Sequence, residues 1–169
     1  MIKIKCNPAN YDSKHIRGYR DIEYIVIHYT AGKGDTAENN LKYFNREITK
    51  TSAHYFIDRE GIIGKSVNIN NTAWSVGGCY VNGAKYYGKC RNDNSVSIEL
   101  CDIVGQGVSA KQKVALKKLV NALYKKCPNI KDVIRHYDVN GKNCPAYYVT
   151  NNDKWEKLKK EVLTYVGNN

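Results

Sequence analysis

The chain has 169 residues, of which 42% are hydrophobic and 25% charged, and its formal net charge is +11. This length and composition are normal for one globular domain with a real core. No apolar stretch approaches the ~20 residues that a membrane-spanning helix needs, so insertion into a membrane is excluded as a function class. The basic residues are spread along the chain, which favours a polyanionic partner such as nucleic acid or an anionic cell surface without setting its specificity.

Six cysteines occur without any C-x-x-C pair, which excludes a zinc ribbon and a dithiol redox motif. Residues 1–14 contain neither an apolar core nor a small-residue cleavage site, which predicts a protein that is made in the cytosol without a secretory signal. There, most of the cysteines are expected to stay reduced. Cys79 and Cys90 flank a loop that they could bridge under oxidising conditions.

The first half of the chain is predicted to alternate between strands and a helix. In chain order, the expected elements are a strand at 22–29, a helix at 35–48, hairpin strands at 52–58 and 62–67, and a long loop at 77–94. Asp35 is the expected N-cap of the helix, and Glu38 completes a capping-box-like start. The long loop is rich in Gly, Asn, Lys and Tyr.

The second half continues the alternation. The expected elements are a strand at 95–101, a helix at 109–127, a short strand at 133–136 and a helix at 153–166. Ser109 and Gln112 form a capping-box pair for the longest helix. The last helix carries Trp155, Leu158, Val162 and Tyr165 on one face. Strands that alternate with helices predict a single α/β domain, residues 1–169, built around one sheet.

Three of these strands each carry a titratable side chain on the face away from their apolar residues. They are His28, His54 and Glu99, and the period of two along a strand places them together in one groove if the strands are neighbours. A carboxylate between Ile98 and Leu100 is costly to bury without a partner. The alternatives are an ordinary core histidine and a half-exposed glutamate paired with a lysine.

The stretch "RHYDVNGKNCP", residues 135–145, holds two good zinc ligands, the imidazole of His136 and the thiolate of Cys144. Gly141 lets the intervening loop turn sharply, so that both can reach one ion. With His28 they make three protein ligands, which leaves a fourth tetrahedral position for water, as in catalytic zinc sites. Asp138 either orients a ligand or forms a local turn.

Five motifs follow one another over about residues 20–150: "IVIHYTAG", "TSAHYFIDREGII", "TAWSVGG", "NDNSVSIELCD" and "IRHYDVNGKNCP". With these motifs in this order, the chain resembles the zinc-dependent N-acetylmuramoyl-L-alanine amidases of the amidase-2 group. That superfamily also includes phage lysozyme-type amidases and peptidoglycan recognition proteins. The resemblance implies a mixed central β-sheet flanked by α-helices, with a zinc groove on one side of the sheet.

The resemblance also implies roles for individual residues. It makes His28, His136 and Cys144 the ligands of Zn²⁺, with cysteine where many members have aspartate. Lys142, two residues before the final ligand, matches a catalytic position of the family and would stabilise the oxyanion. Glu99 matches the acidic residue that some branches use as general base.

Two single residues depart from the family pattern. Some branches have a catalytic tyrosine where this chain has His54, which is therefore expected to bind substrate or to assist proton transfer. The family often has histidine after the tryptophan of its "AWH" motif, whereas Ser75 follows Trp74 here. Trp74 itself is expected to contact substrate.

The loop at 77–94 matches nothing in the family pattern. Its tyrosines, Tyr80, Tyr86 and Tyr87, are predicted to stack on sugar or peptide, with loop packing as the alternative.

The implied reaction is hydrolysis of the amide between N-acetylmuramic acid and L-alanine in peptidoglycan, by a monomer that lyses cell walls as a phage or prophage endolysin does. Without a signal peptide, such an enzyme would reach the wall after holin-type release, and its positive charge suits anionic wall polymers. The alternatives are a recognition module that binds peptidoglycan without cutting it, a zinc endopeptidase of the stem peptide and a basic nucleic-acid-binding domain. No nucleic-acid-binding motif occurs, and all three candidate ligands are present.

Overall fold

The computed structural model describes residues 1–164 and is built on a six-stranded mixed sheet. The strands are β1 (Ile2–Lys3), β2 (Tyr11–Asp12), β3 (Tyr24–Tyr29), β4 (Tyr55–Ile57), β5 (Ile63–Lys65), β6 (Thr72–Ala73), β7 (Ser95–Leu100) and β8 (Asp132–Arg135). The order across the main sheet is β1-β5-β4-β7-β3-β8, in which only β4 and β5 pair antiparallel. The short strands β2 and β6 pair separately.

Five α-helices surround the sheet. They are α1 (Ala37–Arg46), α2 (Ala110–Lys126), α3 (His136–Asn140), α4 (Ala146–Thr150) and α5 (Asn152–Leu163). The start of α2 is as predicted, because Ser109 Oγ accepts from the Gln112 N–H and Gln112 Oε1 accepts from the Ser109 N–H. Tyr165, which was expected on the apolar face of the last helix, lies outside the described residues.

The predicted cap of α1 is wrong by one residue. Thr36 is the N-cap, and its hydroxyl accepts from the Asn39 N–H at 3.1 Å. The Asp35 carboxylate instead accepts from the Asp102 N–H at 2.7 Å and from the Asn40 side-chain amide at 2.6 Å. Because a tertiary partner takes the Asp35 carboxylate, the adjacent threonine caps the helix.

One face of the sheet is covered by α2 and α5. The main apolar core lies between them and the alternate residues of the central strands, such as Ile25, Ile27, Ile98 and Leu100, all fully buried. The buried amide of Gln112 donates to the carbonyls of Ile57 and Cys101, which fixes the start of α2 against the ends of two strands.

The opposite face, called the groove face, carries α1 at one side and α3 at the other. On one side α1 packs on β4 and β5, where Leu41 lies so close to Gly64 that a Cβ there would come within 2.8 Å of it. On the other side α3 contacts β3 and β8. Between α1 and α3 lie the C-terminal ends of β3 and β7, where Tyr29 and Leu100 are the last strand residues.

This architecture confirms the predicted α/β fold with a mixed central sheet flanked by helices. That one domain takes up the whole of residues 1–169 stays a prediction. Within residues 1–164, no helix combines the length and the apolar character that crossing a membrane requires.

Candidate metal centre

Three side chains from two separate parts of the chain meet above the sheet. His28 comes from the end of β3, His136 is the first residue of α3, and Cys144 lies in the loop that follows α3. Their ligand atoms all lie within 4.8 Å of one another, and His28 Nδ1 is 3.9 Å from Cys144 Sγ. The structure therefore brings together the three ligands that the sequence predicted.

The three side chains are buried, with exposed fractions of only 2–3%. His28 Nε2 and both ring nitrogens of His136 nevertheless have no hydrogen-bond partner within residues 1–164. Buried polar atoms in folded proteins are nearly always paired, so unpaired ring nitrogens beside a thiol indicate a missing partner such as a metal ion. Asp138 does not supply one, because its carboxylate binds Arg135 through the N–H and the guanidinium.

The donor set fits zinc. Imidazole nitrogen and cysteine sulfur are typical zinc ligands, and bond lengths of roughly 2.0–2.3 Å place tetrahedral ligand atoms about 3.3–3.8 Å apart. The cluster is slightly wider than that, so a small inward movement of its side chains would close it around an ion. The Tyr137 N–H donates to the Cys144 carbonyl at 2.9 Å, which ties the cysteine back to the helix of the second histidine.

Burial keeps the two imidazoles neutral. It lowers the pKa of His136 to about 4, with the Lys142 charge acting in the same direction, and it lowers the pKa of His28 well below its ordinary value. Burial also raises the pKa of the Cys144 thiol to about 12, helped by the negative charge of Glu99. A neutral imidazole is ready to bind a metal, whereas the thiol must lose a proton, which a bound cation favours.

Glu99 lies beside the cluster, because β7 pairs with β3 in a register that places it opposite His28. The residue is partly exposed, but its Oε2 is buried and has no hydrogen-bond partner among the described residues. Burial raises its pKa to about 8, Asp35 acts in the same direction, and Lys142 opposes the shift. A carboxyl group that titrates near neutral pH is suited to accept and return protons.

Lys142 is exposed at the edge of the cluster. Its positive charge lowers the pKa of His28, Glu99, His136 and Cys144. A free ammonium group here can stabilise negative charge that develops near the metal cluster.

His54 lies on the same side of the sheet but is enclosed, with 1% of its surface exposed. The Ser97 N–H donates to His54 Nδ1 at 3.1 Å, and Nε2 lies 3.2 Å from the Asn71 carbonyl and 2.9 Å from Arg17 Nη2. Burial and the Arg17 charge lower the pKa of His54 to about 3. Both ring nitrogens therefore have protein partners, in contrast to those of His136.

The predicted aromatic contacts lie in different places. Tyr80 is 60% exposed, and its ring centroid is 5.9 Å from Lys142 Nζ at the edge of the cluster. Tyr86 packs on Tyr24 at the other end of β3, and its hydroxyl donates to Asp132, so the structure does not bring it to the metal ligands. Tyr87 is 38% exposed and hydrogen-bonds Cys79.

Trp74 is partly buried, and its backbone N–H and carbonyl both bond Ser52. Within residues 1–164, no hydrogen bond or ring contact joins Trp74 to the metal ligands, so its role in substrate binding stays a prediction.

Cys79 and Cys90 are free thiols, as are the other four cysteines.

Two residues near the site carried no clear signal in the sequence. Thr30, two positions after His28, has a buried hydroxyl oxygen with no partner within residues 1–164. Arg17 is 7% exposed and donates to the carbonyls of Ile69, Asn92 and Asp93. An arginine among 27 basic residues looks like surface charge, and only its tertiary partners reveal that it is buried.

Comparison with known proteins agrees with this geometry. The 1,6-anhydro-N-acetylmuramyl-L-alanine amidase AmpD of Haemophilus influenzae is 36% identical over 163 residues, covering 85% of this chain and 84% of its own length. The N-acetylmuramoyl-L-alanine amidase CwlL of Bacillus licheniformis is 31% identical over 156 residues, covering 87% of this chain and 42% of its own. The chain spans less than half the length of the Bacillus relatives it matches.

A solved structure of PlyL has the same fold, with a TM-score of 0.73 at 22% identity over 96% of each chain. The model of the Amidase_2 family, described as N-acetylmuramoyl-L-alanine amidase, matches residues 18–147. That match includes both histidines, the cysteine and Glu99, and it covers well over half of the sequence. The chain therefore belongs to the N-acetylmuramoyl-L-alanine amidase family.

Proposed function

We propose that the chain hydrolyses the amide bond between N-acetylmuramic acid and L-alanine in peptidoglycan, with zinc held by His28, His136 and Cys144. The observation that carries this proposal is the buried cluster of three metal-ligand side chains with unpaired ring nitrogens, next to an unpaired carboxyl oxygen of Glu99. Membership of the amidase family supplies the bond that is cut. When bound, zinc supplies Lewis-acid polarisation of a carbonyl and a lowered pKa for water.

Glu99 is the proposed general base. Its carboxylate accepts a proton from the water that attacks the carbonyl carbon, and it then donates this proton to the nitrogen of L-alanine as the C–N bond breaks. The products are the carboxylate of the lactyl group and a free α-amino group. Burial raises the pKa of Glu99 towards neutral pH, and this direction supports a group that both gains and loses a proton during the reaction.

Lys142 is proposed to stabilise the negative charge that forms on the carbonyl oxygen during attack. His54 stays a predicted contributor to catalysis, and its enclosed ring favours action through Ser97 and Arg17 over direct contact with substrate. Among the aromatic residues, the exposed Tyr80 beside Lys142 is the best placed to touch a sugar or peptide.

Product analysis tests the proposal. Purified peptidoglycan is digested with the protein, and the new end groups are identified by mass spectrometry. We expect free N-terminal L-alanine and unsubstituted lactyl carboxylates, both lost after zinc is removed by a chelator and restored when it is returned. New amino groups at other stem-peptide positions would indicate an endopeptidase, and binding without any new end group would indicate a recognition module.

We also propose an endolysin-like setting, in which a monomer reaches the wall from the cytosol after lysis or through a holin. Anionic wall polymers are its proposed second partner. The helices α2 and α5 carry ten lysines against three acidic residues, so most of the net charge of +11 belongs to the side of the sheet away from the cluster. Binding to walls that retain anionic polymer should weaken as salt rises, because exposed charges are screened over about 8 Å at physiological ionic strength. Binding that is unchanged from low to high salt would contradict this part.

A further inference from the structure

The long segment at residues 77–94 is attached to the helix that begins with a metal ligand. The Val81 N–H donates to the Asn140 carbonyl at 2.8 Å, and the Tyr86 N–H donates to the Asp138 carbonyl at 3.0 Å. Both acceptors belong to α3, whose first residue is His136. The segment, named the insert, therefore forms a wall against α3.

Asn140 connects this wall to the loop that carries Lys142. Its side chain is 1% exposed, and its Nδ2 donates to the carbonyls of Gly77 and Gly78 at 3.2 and 3.3 Å. Its Oδ1 accepts from the Lys142 N–H at 3.2 Å. One amide group thus binds the base of the insert with one end and the backbone of the catalytic lysine with the other.

Close packing reinforces the same junction. Gly141 has φ +79, and a Cβ at this position would lie 2.5 Å from Val81 Cγ2, so the insert approaches the backbone of the turn as closely as glycine permits. The far end of the insert is anchored separately, because the Tyr86 ring packs edge-to-face on Tyr24 with centroids 5.5 Å apart. Held at both points, the insert presents Tyr80 to Lys142.

We propose that Asn140 is a positioning residue, whose side-chain amide holds the insert and the Lys142 backbone in register, so that Tyr80 and Lys142 form one edge of the substrate groove. The inference rests on the proposed amidase function for the role of Lys142. It assigns the insert to substrate binding through Tyr80, and it assigns Tyr86 to anchoring the insert. A glycan or peptide that enters the groove would contact the tyrosine ring and the lysine side by side.

Two substitutions separate the two ends of the Asn140 amide. Asn140→Ala removes both sets of hydrogen bonds. Asn140→Asp keeps an acceptor for the Lys142 N–H but cannot donate to the carbonyls of Gly77 and Gly78. Asn121→Ala is the matched control, because the Asn121 amide also donates to a backbone carbonyl, that of Lys117, but lies in α2 on the other side of the sheet.

The first measurement is amide hydrogen exchange by NMR on the zinc-loaded protein without substrate. In Asn140→Ala we expect faster exchange at both Val81 and Lys142, and in Asn140→Asp faster exchange at Val81 alone. The control should leave both amides unchanged. Because hydrogen exchange needs no turnover, it tests whether the Asn140 side chain holds the insert even if the wild-type protein proves not to cut peptidoglycan.

The second measurement is steady-state kinetics on a soluble muramoyl-peptide, with zinc content determined on the same samples. Asn140→Ala should lower kcat about 10- to 100-fold, the loss typical of a catalytic group displaced by about an ångström, and should raise KM. Asn140→Asp should raise KM while kcat stays within a few-fold of wild type. Zinc content should stay near one per chain in both variants.

Wild-type exchange at Val81 and wild-type kinetics in a folded Asn140→Ala protein would overturn the proposal. If that variant does not fold, Asn140→Asp decides alone: an unchanged KM together with a protected Val81 amide would overturn it, and the predicted pair of changes would support it. Loss of zinc in either variant would also overturn it, because Asn140 would then act on the metal ligands instead of on Lys142.

Discussion

The two faces of the sheet are built from the same strands but carry side chains of opposite character. On the face under α2 and α5, residues such as Ile27 and Ile98 are fully buried among other apolar side chains. On the groove face, the next residues along the same strands, His28 and Glu99, are polar, and within residues 1–164 His28 Nε2 and Glu99 Oε2 have no hydrogen-bond partner. Five of the six buried side-chain atoms without a hydrogen-bond partner in residues 1–164 belong to the groove, on His28, Thr30, Glu99 and His136.

Along each of these strands, residues that stabilise the fold therefore alternate with residues that serve the candidate site. Apolar burial at ~25 cal/mol per Å² stabilises the fold from the helix-covered face. Around the metal cluster, the groove face forgoes that contribution and leaves polar atoms without hydrogen-bond partners, which lowers stability unless a ligand binds there. Substitutions on the two faces should therefore have different effects, and four experiments test this difference.

The largest effect is expected from the metal ligands. His28→Ala, His136→Ala and Cys144→Ala should each reduce zinc from about one per chain to near zero and abolish peptidoglycan hydrolysis, because three protein ligands are the usual minimum for a catalytic site. Cys127→Ala is the matched control, since Cys127 is equally buried but lies under the helices. Metal analysis and end-group release are the readouts, and zinc retained by all three ligand variants would refute the assignment.

Glu99→Gln should be nearly inactive and fully folded. The amide keeps the shape of the side chain but cannot accept a proton, and loss of a general base typically costs ~10²–10⁴-fold in rate. Zinc content and wall binding should match the wild type, because Glu99 is not a proposed ligand. Turnover is measured beside a thermal melt, and a well-folded variant within a few-fold of wild-type activity would remove Glu99 from the mechanism.

On the face covered by α2 and α5, Leu116→Ala should lower stability and leave activity intact. Leu116 is 1% exposed in the core under α2, and truncating such a leucine costs about 2–5 kcal/mol of unfolding free energy. Activity and zinc per folded molecule should stay within about twofold, since the cavity opens on the other side of the sheet. Urea unfolding and kinetics on the folded fraction check this, and a selective loss of zinc would show that the two faces are coupled.

The smallest effect concerns His54 and pH. Its pKa is about 3 in the folded protein and ~6.5 in an unfolded chain, so below pH 6.5 only the unfolded chain takes up the proton. Its contribution to stability is therefore complete above pH 6.5 and decreases as pH falls towards 3, by ~1.4 kcal/mol per pH unit. His54→Gln should reduce the acid slope of unfolding free energy by that amount between pH 6 and 4. Both proteins are compared without metal, so that His28 and His136 contribute equally, and identical slopes would mean that the ring is not enclosed as described.

The sequence by itself predicted the longer strands and helices and the residue types of the candidate site, but not the short helices α3 and α4. Period-two alternation in β3 and β7 was enough to place His28 and Glu99 on the polar face, because side-chain direction along a strand is a local property. The spacing of His136 and Cys144 around Gly141 was enough to predict that both reach one ion. Capping chemistry predicted the start of α2 at Ser109, where a local hydrogen bond decides the boundary.

Only the tertiary structure decided which buried polar side chains find hydrogen-bond partners and which do not. Arg17 and Asn71 lie near the ring of His54, whereas the ring nitrogens of His136 have no hydrogen-bond partner in residues 1–164, although the ring itself packs edge-on against His28. Tyr80 and Tyr86 are six residues apart in one polar loop, but Tyr80 lies beside Lys142, whereas Tyr86 packs on Tyr24 at the start of β3. Long-range packing sets these outcomes, since the partner that a side chain finds depends on chain segments that local patterns do not connect.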